Sequence, residues 1–291
     1  GLGVAQFKRV SNQGVANGDF VHQLHATQER AQVIPIEVVP GIHTQADRTC
    51  SMNAVAVASQ YLGLPGGTKG LGTRLRIELD PICTDAAVRV VVIQGQPQVF
   101  SAGNDIADFL NHPPSQMDAP VFRFLREIST FPKPLIAAVA GPAVGIGTTL
   151  LFHCDLVYAG DNAAFALPFV NLGLCPEAAS SLLVPQMLGY HRAAEALLLG
   201  DPFMAEAALE VGLVNRVLPP TEVNGYAQAQ AKKLAAKPLA SLIETKRLMK
   251  APQAAQVQAV MAEEAQSFAR MLTEPAAREA FGAFLEKRRP D

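Results

Sequence analysis

One carboxylate stands alone in an apolar stretch. From Ala163 to Val184 the chain carries no charged side chain except Glu177. A carboxyl in apolar surroundings holds its proton more tightly than in water, and one that ionises near neutrality can take a proton as a base and return it as an acid. A second reading stays open: Pro176-Glu177 has the form of a helix first turn, where proline is pre-organised and an acid suits the helix dipole. Two glycine-rich stretches offer a different chemistry. In "SAGND" (101–105) and "VGIG" (144–147), Gly103, Gly145 and Gly147 permit unusual backbone angles and close approach of a ligand. Such turns either reverse the chain or aim backbone N–H groups at an oxygen that gains charge. A helix opening after Gly145 adds a dipole of the favourable sign.

The other polar candidates have plainer expectations. Asp105 follows the first turn and is expected to cap the next helix or order the loop. Asp155 opens a strand-like phrase and is expected to make structural hydrogen bonds, and His153 reads as a satisfied core residue. The glycine-rich "GLPGGTKGLG" (63–72) is not a phosphate loop, because no GK[ST] ends it. Cys50, Cys83, Cys154 and Cys175 fit no zinc spacing and read as free thiols of a reducing compartment.

The elements that must position these residues become legible after Asp80. "AVRVVVIQG" (87–95), "PLIAAVAG" (134–141) and "CDLVYAG" (154–160) are apolar runs rich in β-branched residues or ended by glycine, and read as buried strands. "APVFRFLREISTF" (119–131) places Val121, Phe122, Leu125 and Ile128 at helical spacing. "PAVGIGTTLLFHC" (142–154) reads as a turn into a buried helix. Strands alternating with helices predict an α/β layered fold. Within residues 1–79, "VIPIEVV" (33–39) reads as an edge strand because of Pro35, and "MNAVAVASQYL" (52–62) as a short helix. Beyond about residue 220 the chain is Ala-, Lys- and Glu-rich with helical periodicity, which predicts a helical region that packs on its own core or on another subunit.

The 291 residues are 49% apolar and 17% charged, with a formal net charge of −2. That is a globular composition without the basic field a nucleic acid would need. There is no Trp and only four Tyr, so a base-stacking platform is not expected either. No signal-peptide pattern opens the chain, no apolar run reaches membrane-spanning length, and no metal site is expected. The expected compartment is cytoplasmic.

"VFSAGNDIADF" (99–109), the stretch 133–181 from "KPLIAAVAGPAVGIG" to "LGLCPEAASS", "GLVNRVLP" (212–219) and "PAAREAFGAFLEKRRPD" (275–291) together resemble the crotonase superfamily, the enoyl-CoA hydratases and isomerases. The acid after "LGL" is most similar to the Δ3,Δ2-enoyl-CoA isomerase branch. The resemblance implies a spiral of β-β-α repeats over 1–219, with 1–79 atypical, and a C-terminal helical oligomerisation region over 220–291. It implies an acyl-CoA substrate, coenzyme A being part of the substrate rather than a cofactor, and a homotrimer or a pair of trimers. It assigns the oxyanion hole to the N–H groups of Ala102 and Ile146. Substrate contacts fall to Ser101, Ala102, Gly103, Asn104, Asp105, Gly145, Phe169 and Leu174. The two carboxylates with which the family's hydratases hold water fall on Thr149 and Phe169, so the acid left to act is Glu177. Lys287, Arg288 and Arg289 either meet CoA phosphates or form a solvated helix end.

Overall fold

The computed structural model describes residues 36–40, 83, 85–95, 97–104, 106–111, 114 and 119–291. The expected helix over 52–62, the loop over 63–72 and the role of Asp105 lie outside these residues. In chain order the elements are β1 (Ile36–Pro40), β2 (Val88–Gln94), α1 (Ile106–Asn111), α2 (Pro120–Thr130), β3 (Leu135–Val139), β4 (Pro142–Val144) and α3 (Ile146–Thr149). They continue through β5 (Leu156–Gly160), β6 (Ala164–Ala166), α4 (Ser180–Leu188), α5 (Tyr190–Ala194), β7 (Phe203–Met204), α6 (Ala205–Glu210) and β8 (Arg216–Leu218). Three helices close the chain: α7 (Val223–Ala235), α8 (Leu239–Met271) and α9 (Pro275–Leu285).

The main sheet has the order β1-β2-β3-β5-β8. Its central strands run parallel, and β1, antiparallel to β2, is outermost among the described strands, where the expected edge strand falls. The near-continuous apolar runs of β2, β3 and β5 follow from burial on both faces. Val91, Ile93, Leu135, Ala137, Val139, Val157 and Ala159 face the principal core, with α2 supplying Val121, Phe122, Phe124, Leu125 and Ile128. Val90, Val92, Ile136, Ala138 and Tyr158 face the other way, onto α7.

That second face is where the first C-terminal helix packs, on the sheet of its own chain. Val223, Ala227, Ala231 and Ala235 recur every fourth residue on α7 and are buried against the sheet. Their small side chains let the helix lie close to it. The remaining two helices pack on the principal core: Phe268 of α8 and Phe281 and Phe284 of α9 are buried in it, and Met271 is half-buried against it. Among the described residues no helix is long and apolar enough to cross a membrane.

A second, three-stranded sheet, β4-β6-β7, was not legible in advance. Pro142–Val144, expected as part of a turn, forms strand β4, parallel to β6. The helix that follows is α3 for one turn and then a 3₁₀ turn over Leu150–His153. This small sheet sets the site.

Candidate active site

The two glycine-rich turns are stitched to each other through β4. Phe100 and Ser101 both donate their N–H to the Pro142 carbonyl at 3.0 Å, and Val144 donates to the Ser101 carbonyl at 3.0 Å. On its other side β4 is tied to β6, and Gly145 donates to the Ala166 carbonyl at 2.9 Å. The Thr148 hydroxyl donates to the Ala143 carbonyl at 2.7 Å and accepts the Ala166 N–H at 3.2 Å. These bonds use the N–H groups around the two turns. The N–H of Ala102 and that of Ile146, the first residue of α3, find no acceptor among the described residues.

Two glycines are required by this arrangement. Gly145 sits at φ 55° and ψ −118°, a region closed to residues with a Cβ. Gly147 packs against the first turn so closely that a Cβ there would lie 2.6 Å from the Cβ of Ser101 and 2.9 Å from its hydroxyl oxygen. Ser101 itself is buried, and its oxygen accepts the Gly103 N–H at 3.2 Å. It braces the turn from behind rather than lining the site.

Ala102, Gly103, Asn104, Gly145, Ile146, Phe169 and Leu174 all line one cavity. The sequence reading missed the rest of the wall. Ile106 and Phe109 of α1, Phe268 of α8, Ala280 and Phe284 of α9, and Leu172 make the cavity largely apolar. Phe109 and Phe268 meet edge-to-face with ring centroids 5.9 Å apart. Periodicity marks such residues as buried without saying that they border a pocket. Arg288 also reaches this wall, but its guanidinium is engaged by Glu279 at 2.5 and 3.0 Å and by Glu286 at 2.6 Å.

Glu177 lies three residues beyond Leu174, in the interior and not on the wall of this cavity. It is 3% exposed, and its buried Oε1 has no hydrogen-bond partner among the described residues. Burial, with a smaller push from the negative Glu264, raises its carboxyl to about 8. The helix-cap reading fails, because α4 begins only at Ser180. The intervening Ala178 and Ala179 hold left-handed backbone angles, φ 62° and 55°. For alanine that costs roughly 1–2 kcal/mol each, so the surrounding structure must hold the turn.

It does so from two sides. Glu264 of α8 accepts the Ala179 N–H at 2.6 Å, the Ser181 N–H at 2.9 Å and the Ser181 hydroxyl at 2.6 Å. The cap of α4 therefore comes from a carboxylate 83 residues further along, which the sequence reading missed. His153 lies 2.8 Å through Nε2 from the Ala178 carbonyl. Its ring is fully buried and ionises only near 4, so at neutral pH it is uncharged and Nε2–H donates. His153 is thus the satisfied core residue expected.

Asp155 is structural too, accepting the Leu135 N–H at 2.7 Å and the Lys246 ammonium at 2.6 Å. Thr149 is fully buried with an unpartnered hydroxyl, and Phe169 is 5% exposed on the cavity wall. Neither position offers a carboxylate.

A largely parallel sheet with residues of two glycine-rich turns on the wall of one apolar cavity is the arrangement that the resemblance to the crotonases implies. The comparisons agree. The family model described as enoyl-CoA hydratase/isomerase matches residues 68–291, and the chain belongs to that family. The OdaA structure of Pseudomonas aeruginosa is 49% identical, covers 74% of this chain and 87% of its own, and superposes with a TM-score of 0.72. The 2,3-dehydroadipyl-CoA hydratase of Escherichia coli (strain K12) is 35% identical over 222 residues, 74% of this chain and 84% of the relative. Enoyl-CoA delta isomerase 2 of Rattus norvegicus is 38% identical over 198 residues, 66% of this chain and 50% of the relative.

Proposed function

We propose that the protein is a Δ3,Δ2-enoyl-CoA isomerase of fatty-acid oxidation, with Glu177 as its acid–base residue. The observation that carries this reading is the pairing of one buried, unpartnered carboxyl with two lost ones. Glu177 is raised to about 8 and has a free Oε1, while Thr149 and Phe169 occupy the positions that the resemblance assigns to the water-holding carboxylates.

In the proposed reaction the thioester oxygen of a 3-enoyl-CoA accepts the N–H groups of Ala102 and Ile146. Glu177 is buried three residues beyond Leu174 of the wall, so the reaction requires its side chain to swing into the cavity. Ionised, it removes a proton from C2, and the electron pair moves into a dienolate whose oxygen the two N–H groups and the α3 N-terminus stabilise. The protonated carboxyl then returns the proton to C4, leaving the 2-enoyl thioester. One carboxyl suffices because the same proton leaves and returns, and water takes no part. The apolar wall around Phe109, Phe169, Phe268 and Phe284 suits a hydrocarbon chain and keeps water from the dienolate. Coenzyme A comes with the substrate, and the reading calls for no separate cofactor and no metal.

A spectrophotometric assay of 3-enoyl-CoA and 2-enoyl-CoA substrates of graded chain length tests this. Isomerisation of the 3-enoyl thioesters, with kcat/KM rising about tenfold per pH unit and levelling off near pH 8, is the expected result. Efficient hydration of 2-enoyl-CoA would favour a hydratase instead, as in the Escherichia coli relative. Binding of acyl-CoA without turnover would show a non-catalytic carrier. We propose further that the assembly is a trimer or a pair of trimers, which would cover the exposed Tyr190, Leu198 and Leu199.

A further inference from the structure

Glu177 is presented by a turn that its own sequence does not favour. Two successive alanines hold left-handed angles, and no glycine stands where φ is positive between Cys175 and Ser180. Ser180 closes the turn locally, its N–H and hydroxyl both donating to the Glu177 carbonyl, and the remaining bonds come from elsewhere in the chain. Glu264 reaches from α8 to Ala179 and Ser181, and His153 reaches from the 3₁₀ turn before β5 to Ala178.

The hydrogen-bond pattern favours the negative charge on Glu264. A backbone N–H donates to each of its oxygens, and the Ser181 hydroxyl is placed to donate a third bond. An ionised carboxylate accepts at both oxygens, whereas a protonated one must turn one of them into a donor. Glu177 has the opposite surroundings, with an oxygen that nothing donates to. Two neighbouring buried carboxyls cannot both ionise freely. The one with donors takes the charge and the one without keeps the proton.

We propose that Glu264 is a positioning residue for Glu177: it braces the left-handed turn that carries Glu177 and supplies a buried negative charge that, added to burial, delays the ionisation of Glu177. This rests on the reading of Glu177 as the acid–base residue. In the resting enzyme the proton is held on Glu177, and its release to solvent, or its uptake from C2, is set against a fixed charge on α8.

Other titratable groups around the pair leave that assignment standing. Cys175, in the same segment, is pushed up to about 11 and is neutral. His153 is neutral, and the ammonium groups of Lys246 and Lys250, from α8, act on His153. Burial raises Glu264 as well, with Glu263 beside it on α8 acting in the same sense, but its three hydrogen bonds pull the other way, and Glu177 has no such bond at Oε1.

The test measures Glu177 itself. The full-length protein is labelled with ¹³C at glutamate carboxyls, and the Glu177 signal is assigned by its loss in Glu177→Gln. Its titration is then followed in the wild type, Glu264→Asp and Glu264→Gln, with circular dichroism to check folding. The midpoint is expected to be highest in the wild type, intermediate in Glu264→Asp, where the charge recedes by a methylene, and lower by about one pH unit in Glu264→Gln. The pH profile of kcat/KM for 3-enoyl-CoA is expected to move with it. A midpoint that is the same in every variant that folds, or one that rises, overturns the proposal. The titration needs no turnover. Activity that survives Glu177→Gln would therefore sink the acid–base reading alone, while an unmoved midpoint with Glu177→Gln inactive would sink the role of Glu264 alone.

Discussion

Replacing Glu177 by glutamine is expected to cost activity and to add stability, with the gain growing as pH rises. In the fold the carboxyl ionises near 8, against an ordinary value of 4.5. Below 4.5 it is protonated in both the folded and the unfolded chain and contributes no pH dependence. Between 4.5 and about 8 the unfolded chain loses this proton while the folded chain keeps it, so the fold loses stability as pH rises. Each pH unit in that window is worth about 1.4 kcal/mol. The wild type is therefore expected to lose roughly 3 kcal/mol from this group between pH 4.5 and 7, and about 5 kcal/mol in all above pH 8. Glutamine removes the titration but cannot carry a proton, so isomerase activity is expected to fall by roughly 10²–10⁴-fold. Urea unfolding of both proteins at pH 5, 7 and 9 measures the first effect, and turnover of 3-enoyl-CoA measures the second. A stability difference that does not change from pH 5 to pH 9 refutes the burial argument for Glu177, whatever happens to activity.

Four further expectations concern the supports and the assembly. Gly147→Ala forces a Cβ to within 2.6 Å of the Ser101 side chain, separating the two N–H-bearing turns, and turnover is expected to drop by about 10–10²-fold with the fold retained by circular dichroism. Lys246→Met leaves Asp155 without its cation, and a loss of about 2–3 kcal/mol in urea unfolding is expected, because Asp155 remains partly solvated. Thr149→Glu is expected to leave hydration of 2-enoyl-CoA negligible, since Phe169 supplies no partner carboxylate; a strong hydratase from this single change would contradict the two-carboxylate reasoning. Light scattering at micromolar concentration is expected to give about three or six times the 30.9 kDa chain mass, and a mass that stays at one chain as concentration rises would exclude the trimer.

The three inner strands, helix α2 and the two glycine-rich turns were legible in the sequence because each rests on a local signal. Val90 to Ile93 are apolar on both faces of a strand, so the run declares itself without knowledge of its neighbours. Gly145 is needed for a backbone angle that the chain adopts within one turn. The isolation of Glu177 among apolar residues was equally local, and so was its expected affinity for a proton. The strands β4 and β6 were not legible, since each is three residues long and is stabilised by a partner some 20 residues away. Nor was the sheet beneath α7: the Val223-Ala227-Ala231-Ala235 stripe shows that one face is small, but not what lies against it.

The site itself was decided by tertiary structure. No spacing rule connects Glu264 to Ala179 and Ser181 across 83 to 85 residues, or His153 to Ala178, because those bonds exist only once α8 and the 3₁₀ turn have packed on either side of the turn. The sequence placed a lone carboxyl among apolar residues at position 177. Only the packing of distant elements decided which backbone angles present it, and which second carboxyl stands beside it, because a left-handed alanine turn and a like-charged neighbour are both unfavourable alone and persist only where the rest of the fold holds them.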